Sequence, residues 1–275
     1  PKLFRSIEED QKIPHIKLRF GIYNIKDCSI SMSVMYDRVT MAADAARDQY
    51  NTACVYYDDS MRQTLLDEQM MTGSLQEAID TRQFIVYIQP KFDIGKGKLA
   101  GAEALVRWIH PEKGFLSPGV FIPLFERNGL IYKLDRYVWE ETCRIIHGFK
   151  VKYGKCVPVS VNISRVDVYD PKLPEILNGL IDKYDLDHTE LHLEITESAY
   201  ARDPGQLIEI VNTLKKSGFI IEMDDFGSGY SSLNMLSNLT VDVLKLDMKF
   251  LQEGHFTKEE PGILKYIMEI AKWMR

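Results

Sequence analysis

The segment "GAEALVRW" (residues 101–108) places two charged side chains on a stretch that otherwise has the composition of a buried strand. Because side chains alternate between the two faces of a strand, Glu103, Leu105 and Arg107 share one face. Charged groups on a core strand need partners, since a buried charge without one is costly in free energy. The segment therefore indicates a polar interior to which other strands contribute.

Four later strand-like segments repeat this pattern of one apolar and one polar face. In "LHLEITE", for example, His192, Glu194 and Thr196 lie on the face opposite Leu193 and Ile195. If the apolar faces pack against helices, the polar faces all point to one interior. These segments, with Asp225 beside Asp224, supply the further candidate residues Asn162, Glu194, Glu222, Asp224, Asp225, Lys245 and Asp247.

These side chains favour divalent-cation chemistry. Lys245 and Arg107 can neutralise only two of the carboxylates, so the remaining negative charge calls for a cation. All candidate ligands are oxygens and none is a cysteine, which favours Mg²⁺ or Mn²⁺ over zinc. Two ions would suit this many carboxylates, and paired metal ions are typical of phosphodiester hydrolysis.

The elements that position these residues alternate between strands and helices. The strands "QFIVYIQPKFDI" and "LAGAEALVRWI" are separated only by "GKGK", so they form an antiparallel hairpin, because a parallel crossover needs about a dozen residues. Further strands then alternate with a helical region at 119–150 and helices near 171–184 and 204–217, which predicts a parallel sheet covered by helices. A helix is also predicted to start at "YSSLNML", and a final one to cover about 259–274.

We predict an α/β fold, a modified TIM-type (β/α) barrel. Six strands are expected from residue 84 onward, whereas a complete barrel has about eight, so we expect a barrel about two β/α units short. The alternative is an open doubly wound sheet. That fold normally has a glycine-rich phosphate loop after its first strand, and "GKGKLAG" lacks the required spacing. Active sites of barrels lie at the carboxyl ends of the strands, where the polar residues fall.

A smaller α+β part precedes the barrel. It comprises a predicted strand at 15–25, a helix from "VTMAADAARDQY" and a short strand "ACVYYD", and it is small for an independent domain. We expect it to be the tail of a larger domain. Two helices should follow, the second restarting at a capping box formed by Ser74 and Glu77. The predicted boundaries are 1–58 for this part, 59–80 for a helical linker and 81–275 for the barrel.

Composition narrows the class of protein. The net charge of −6 argues against a protein that binds long nucleic acid, because phosphate neutralisation needs a basic surface. The four cysteines form no C-x-x-C pair, so neither a zinc site nor a disulfide framework is indicated, and a reducing, cytoplasmic setting is expected. No apolar run approaches the length of about 18 residues that a membrane-spanning helix needs.

Six motifs in order resemble the EAL family of cyclic di-GMP phosphodiesterases: "EALVRW", "FIPLFERNGLIYKLD", "VNIS", "EITES", "DDFGSGYSSL" and "LKLD". The resemblance extends from about residue 75 to the end of the chain. It implies a modified β/α barrel with one antiparallel strand, which agrees with the predicted hairpin. More faintly, "FGIYNI" and "MAADAARDQYNTACVYYD" resemble the last strand-helix-strand portion of a GGDEF domain.

The resemblance also implies an activity and residue roles. The activity is metal-dependent hydrolysis of cyclic di-GMP to linear pGpG, with Lys245 orienting the attacking water and Glu197 supporting the loop after Asp225. Gln89 and Arg107 would contact the cyclic dinucleotide. The implied metal ligands are Glu103, Asn162, Glu194 and Asp224 for one ion, and Asp225 and Asp247 for a second.

The resemblance is incomplete at the C-terminal side. EAL domains continue with a strand carrying an A-E-G-V-E type motif, whose glutamate also serves the metal site, and with a later Q-G strand, and neither occurs before Arg275. A barrel without these strands would expose two sheet edges, so we expect a homodimer.

Two alternatives stay open at this point. The first is a catalytically inactive receptor that binds cyclic di-GMP without cleaving it. Receptors of this type usually lose metal ligands, whereas every ligand position within these 275 residues is filled, which favours catalysis. The second is a different metal-dependent barrel hydrolase, which would leave "EALVRW" and "DDFGSGYSSL" without a common explanation.

Overall fold

The computed structural model describes residues 19–47, 54–200, 203–227, 238–248, 265, 267–269 and 272. The predicted helix start at "YSSLNML" lies outside these residues. Of the predicted helix at 259–274, residues 265, 267–269 and 272 are described, and they are helical. The chain divides into two compact units, residues 1–73 and 74–275.

The first unit contains a short parallel sheet covered by a helix. Strand β1 (Phe20–Ile22) pairs with β2 (Cys54–Tyr56), and helix α1 (Met32–Arg47) packs on both strands. A Cβ atom on Gly21 would lie 2.3 Å from the carbonyl oxygen of Val39 on α1. Only glycine therefore allows the helix to pack this closely on the strand. Residues 15–18 of the predicted first strand lie outside the described part.

Helix α2 (Asp59–Asp80) is one continuous element. The expectation of two helices, the second starting at a capping box on Ser74, is wrong. An N-cap residue has a non-helical backbone, whereas Ser74 lies within the helix. The helix passes through Gly73, where an added Cβ atom would have no neighbour within 4 Å among the described residues. One interior glycine costs only about 1 kcal/mol relative to alanine, which is too little to break a helix of this length.

The second unit opens with the predicted antiparallel hairpin, formed by β3 (Phe84–Asp93) and β4 (Lys98–His110). A third strand, β5 (Gly114–Leu116), also pairs with β4, so the described residues from 84 onward form seven strands instead of the six expected. Three residues are too few to show a period-two pattern, which is why the sequence did not reveal β5. The chain reverses into it at Gly114, whose φ of 67° favours glycine.

Four parallel strands complete the described sheet: β6 (Val159–Ile163), β7 (Leu191–Thr196), β8 (Ile220–Phe226) and β9 (Val243–Leu246). The order β3-β4-β6-β7-β8-β9 follows the chain without reversal. A doubly wound sheet reverses its strand order at a switch point, so that alternative is wrong. The sheet curls into a half-barrel of the TIM type, as predicted.

Helices cover the outside of this sheet. The helical region expected at 119–150 consists of two helices, because the chain turns at Gly129 with a φ of 67°. The helices predicted near 171–184 and 204–217 are present, and two short helical turns follow β6 and β7. The helices are α3 (Pro118–Arg127), α4 (Ile131–Tyr153), α5 (Arg165–Val168), α6 (Leu173–Lys183), α7 (Glu197–Tyr200) and α8 (Pro204–Ser217).

The apolar strand faces pack against these helices and form the core. Val161, Leu193 and Ile221 on successive strands are fully buried, together with Trp139 on α4 and Val211 on α8. Burying one such aliphatic side chain contributes about 1.5–3 kcal/mol, so these faces must point outward to the helices and the alternate residues inward. Among the helices that the structure describes, none is both long enough and apolar enough to cross a membrane.

Candidate metal centre and its cavity

Strand register brings the predicted polar residues together inside the half-barrel. Glu103 on β4 lies beside Ser160 on β6. One layer further along, Asn162, Glu194 and Glu222 are neighbours on β6, β7 and β8. Neighbouring residues in a parallel sheet point to the same side, so these side chains share the interior face.

Three of the predicted ligands converge to a single point. Carboxylate oxygens of Glu103, Glu194 and Asp224 lie within 4.8 Å of one another. Glu194 is almost fully buried, whereas the other two are partly exposed. Carboxylate oxygens at this spacing are suitable ligands for Mg²⁺ or Mn²⁺, so the residues present fit a divalent cation.

Lys245 contacts all three of these carboxylates. Its Nζ donates to Glu194 Oε2 at 2.7 Å and to Glu103 Oε2 at 3.1 Å, and it lies 3.2 Å from Asp224 Oδ2. Burial alone would lower the pKa of Lys245, but the hydrogen bond and charge of Glu194, with the charges of the other two, outweigh it and raise the pKa. Lys245 therefore carries a fixed positive charge at neutral pH.

A second lysine, Lys91 on β3, was not among the predicted site residues. Its Nζ donates to Ser160 Oγ, Glu194 Oε1 and Glu222 Oε2, each at 2.7 Å. Burial would lower the pKa of Lys91, but its hydrogen bonds to the two carboxylates raise it. Side chains two residues apart on a strand share a face. Lys91 follows Gln89 by two residues on β3, and this spacing could have placed Lys91 on the interior face.

Arg107 does not neutralise the interior carboxylates, so the expectation that Lys245 and Arg107 share this role is wrong. Its guanidinium donates to the carbonyl oxygen of Val106 and lies 5.5 Å from the ring centroid of Tyr87. Arg107 is four positions further along β4 than Glu103, which places it beyond the carboxylate layer. Lys91 provides the second positive charge instead.

Glu222 belongs to the same network through His192. His192 Nδ1 lies 2.7 Å from Glu222 Oε1. Burial would raise the pKa of Glu222, but hydrogen bonds with His192 and Lys91 outweigh it and lower the pKa well below its ordinary range. The connected groups thus include four carboxylates and two lysines, so the carboxylates outnumber the ammonium groups by two, an excess that one divalent cation would balance.

Asp225 and Asp247 are not among the three converging carboxylates. Asp225 is exposed, and its φ of 54° marks the irregularity in β8 where pairing with β9 shifts register. Its backbone N–H donates to Asp224 Oδ1 at 2.9 Å. Asp247 follows β9 directly, and its backbone N–H donates to the carbonyl oxygen of Phe226. Both residues therefore lie at the carboxyl ends of their strands, next to the centre.

Glu197 is buried at the start of α7. Its Oε2 accepts a hydrogen bond of 2.9 Å from the backbone N–H of Gly227, the last described residue before the segment 228–237. Gly227 has a φ of 91°, which favours glycine. Glu197 thus fixes the chain just after Asp225.

Two cavities meet at Glu103. One, of about 440 Å³, lies at the carboxyl ends of β4, β6 and β7, and Arg107 and Asn162 also line it. The other, of about 410 Å³, is lined by Gln89 and Lys91, and Gln89 lies opposite Glu103 in the hairpin. The two residues predicted to contact a ligand, Gln89 and Arg107, therefore border different cavities that share one carboxylate.

The wall of the first cavity contains an acidic residue that the sequence did not indicate, Asp135 on α4, and Asp167 on α5 is its neighbour behind the wall. Oδ2 of Asp135 is buried and has no hydrogen-bond partner among the described residues. Burial raises the pKa of Asp135 well above its ordinary value, and the neighbouring carboxylate of Asp167 adds to the effect. The neutral form is thereby favoured, and a neutral carboxyl can donate a hydrogen bond as well as accept one.

Comparison with known families identifies an EAL domain. The EAL domain model matches residues 72–274. The bifunctional diguanylate cyclase/cyclic di-GMP phosphodiesterase MucR of Pseudomonas aeruginosa is 31% identical over 227 residues, which are 82% of this chain and 33% of that protein. The cyclic di-GMP phosphodiesterase PA2567 of the same organism is 33% identical over 234 residues, 85% of this chain and 40% of that protein.

Solved structures agree with the sequence comparison. The structure of the PaMucR phosphodiesterase in complex with c-di-GMP superposes with a TM-score of 0.68 at 32% identity, covering 74% of this chain and 83% of that one. The FimX EAL domain from Pseudomonas aeruginosa bound to c-di-GMP gives a TM-score of 0.65 at 23% identity, covering 74% and 82%, which supports the fold alone. The chain spans about a third of the length of the first three curated relatives it matches.

Proposed function

The chain belongs to the EAL domain family, and from this premise we propose that it is a divalent-metal-dependent phosphodiesterase that hydrolyses cyclic di-GMP to linear pGpG in bacterial signalling. The observation that carries the proposal is the convergence of Glu103, Glu194 and Asp224 around Lys245, at the edge of the 440 Å³ cavity. Relatives named as cyclic di-GMP phosphodiesterases, at 31–33% identity, support the same substrate.

The proposed metal ligands follow the site geometry and the family resemblance. Asn162 lies beside Glu194 in the sheet, so its amide oxygen is a suitable fourth ligand next to the three carboxylates. Asp225 and Asp247 are proposed to hold a second ion, which makes Asp225 part of the catalytic group. Mg²⁺ or Mn²⁺ bound there supplies a Lewis acid and lowers the pKa of bound water.

Four side chains of the protein would position the substrate, the attacking water and the nearby backbone. Lys245, with its fixed charge at the three carboxylates, would orient the water and stabilise negative charge that develops on the phosphate. Arg107, in the same cavity as Asn162, would contact the dinucleotide, and Gln89 would contact it from the other side of Glu103. Glu197 would keep the backbone after Asp225 in place through Gly227.

The domain boundaries are also a proposal. We assign residues 1–58 to the C-terminal part of a GGDEF-like domain, 59–80 to a helical linker and 81–275 to the EAL domain. The parallel β1–β2 pair with α1 is compatible with the first assignment, and α2 has the bounds expected for the second. We also propose that the protein acts in the cytoplasm.

We further propose a homodimer. Among the described strands, β3 pairs only with β4 and β9 pairs only with β8, so each presents one edge. An open strand edge favours association with another copy. Sedimentation velocity on the chain should give the mass of two copies, and a single species at the monomer mass would contradict the dimer.

The proposed activity is tested by incubating the chain with cyclic di-GMP and Mg²⁺ or Mn²⁺ and following pGpG by chromatography. We expect product with either ion and none after the ions are removed with a chelator. Binding of cyclic di-GMP without product in either metal would contradict hydrolysis and favour a receptor. The absence of both binding and product would contradict both functions.

A further inference from the structure

Lys91 joins four strands of the half-barrel through one ammonium group. It lies on β3, and its Nζ donates to Ser160 on β6, Glu194 on β7 and Glu222 on β8, each at 2.7 Å. Its side chain is 31% exposed, whereas that of Glu194 is fully buried and that of Glu222 is 5% exposed. All three hydrogen atoms of the ammonium thus have an acceptor.

The two oxygens of Glu194 have separate partners. Oε1 accepts from Lys91, and Oε2 accepts from Lys245, which also contacts Glu103 and Asp224. The contact with Lys91 therefore fixes the rotation of the carboxylate that directs Oε2 toward the other two carboxylates. We propose that Lys91 is a positioning residue that sets the orientation of Glu194 for binding of the divalent cation, an inference that rests on the proposed function.

The contact of Lys91 with Glu194 is important because the ammonium group offsets repulsion between two carboxylates. Glu194 and Glu222 are direct neighbours in the sheet, and one oxygen of each lies 2.7 Å from Lys91. Without the ammonium between them, the two carboxylates repel each other. Each carboxylate has one further partner at 2.7 Å on its other oxygen, Lys245 for Glu194 and His192 for Glu222. The two oxygens of a carboxylate move together, so any rotation of Glu194 away from Glu222 also displaces Oε2 from the other two carboxylates.

Net charge alone predicts that removing Lys91 strengthens binding of the divalent cation. Removing a lysine makes the network more negative, and a more negative site should bind a divalent cation more tightly. A positioning role predicts weaker binding, because loss of a residue that orients a ligand typically costs about 10- to 100-fold in metal affinity. The direction of the change in Kd therefore separates the two explanations.

The experiment is calorimetric titration of the chelator-treated chain with MnCl₂, without substrate. We expect Lys91→Met to raise the Kd for Mn²⁺ by about tenfold or more. Lys150→Met is the matched control, because Lys150 is 27% exposed and pairs with Glu190 at 2.8 Å, away from the interior. Its Kd should equal that of the wild type. An equal or lower Kd in Lys91→Met would overturn the proposal.

If Lys91→Met does not fold, two double variants provide the test. Each removes one positive and one negative charge, so the net charge of the interior network does not change. In Lys91→Met with Glu222→Leu, the repulsion is removed but Glu194 Oε1 still has no donor, so Mn²⁺ binding should stay weaker than in the wild type. In Lys91→Met with Glu222→Gln, the amide can donate to Oε1 from the neighbouring strand, and binding should recover. Equal affinities of the two double variants would contradict the positioning role.

The inference and the proposed function fail in different ways. Metal affinity is measured without cyclic di-GMP, so a wild-type chain that binds Mn²⁺ but yields no pGpG would contradict only the function. A wild-type chain that hydrolyses cyclic di-GMP, combined with a Lys91→Met variant of undiminished Mn²⁺ affinity, would contradict only the role of Lys91.

Discussion

Replacing Glu103 with glutamine is expected to reduce hydrolysis of cyclic di-GMP by about 10²- to 10³-fold. Glutamine keeps the size of the side chain but removes one of the three converging charges. Metal-assisted charge stabilisation contributes several kcal/mol to such reactions, and each factor of ten in rate corresponds to about 1.4 kcal/mol. Initial rates of pGpG formation at saturating Mn²⁺ and cyclic di-GMP give the comparison.

The Glu103→Gln variant should stay folded. Glu103 is 17% exposed, and Lys245, with which it forms an ion pair, retains Glu194 and Asp224. A neutral amide in this place leaves no carboxylate without a cation, so the free energy of unfolding should change by less than about 1.5 kcal/mol, the usual range for one hydrogen bond. Urea denaturation followed by circular dichroism measures this change.

The matched control for Glu103 is Glu209→Gln. Glu209 is an exposed carboxylate on the outer helix α8, and its loss changes the net charge by the same amount. Wild-type rates are expected for this control. If Glu103→Gln kept more than a tenth of the wild-type rate while folded, the three-carboxylate centre would not be the catalytic site.

The architecture was largely predictable from the sequence because its signals are local. Alternation in "LHLEITE" assigns Leu193 and Glu194 to opposite faces, and burial of the apolar row decides which face meets the helices. The short "GKGK" connection allows only a hairpin. Where local signals were weak, as in the three residues of β5 or around Gly73 in α2, the predictions were wrong.

The pairing inside the site was less predictable, because it depends on contacts between distant parts of the chain. Lys91 is separated from Ser160, Glu194 and Glu222 by 69, 103 and 131 residues. Its strand is also antiparallel to the others, so its position relative to their carboxyl ends depends on the register of the hairpin. Arg107 appeared to be the second neutralising cation because it shares a face with Glu103, but it lies four residues, and so two layers, further along β4.

Replacing Lys245 with methionine is expected to reduce turnover by about 10²- to 10³-fold without weakening Mn²⁺ binding. Removing a donor that stabilises developing charge typically costs this factor in rate. Lys245 contacts the same three carboxylates that are proposed to hold the cation, so its ammonium and the cation compete for those oxygens. Without that ammonium, the Kd for Mn²⁺ should be equal to or lower than that of the wild type.

Lys215→Met is the matched control for this variant. Lys215 is 27% exposed against 23% for Lys245, and it pairs with Asp242 at 2.7 Å outside the interior. Its rate and its Mn²⁺ affinity should equal those of the wild type. Calorimetry with MnCl₂ and initial rates of pGpG formation, measured on the same preparations, separate binding of the ion from turnover.

The two lysines of the interior are therefore expected to differ in a way that their similar chemistry does not suggest. Lys91 contacts the oxygen of Glu194 that faces away from the centre, so losing it turns a ligand and weakens Mn²⁺ binding. Lys245 contacts the oxygen that faces the centre, so losing it frees a ligand and reduces only the rate. If Mn²⁺ binding fell in Lys245→Met as far as turnover did, Lys245 would act by holding the carboxylates together, and its proposed role toward the attacking water would be wrong.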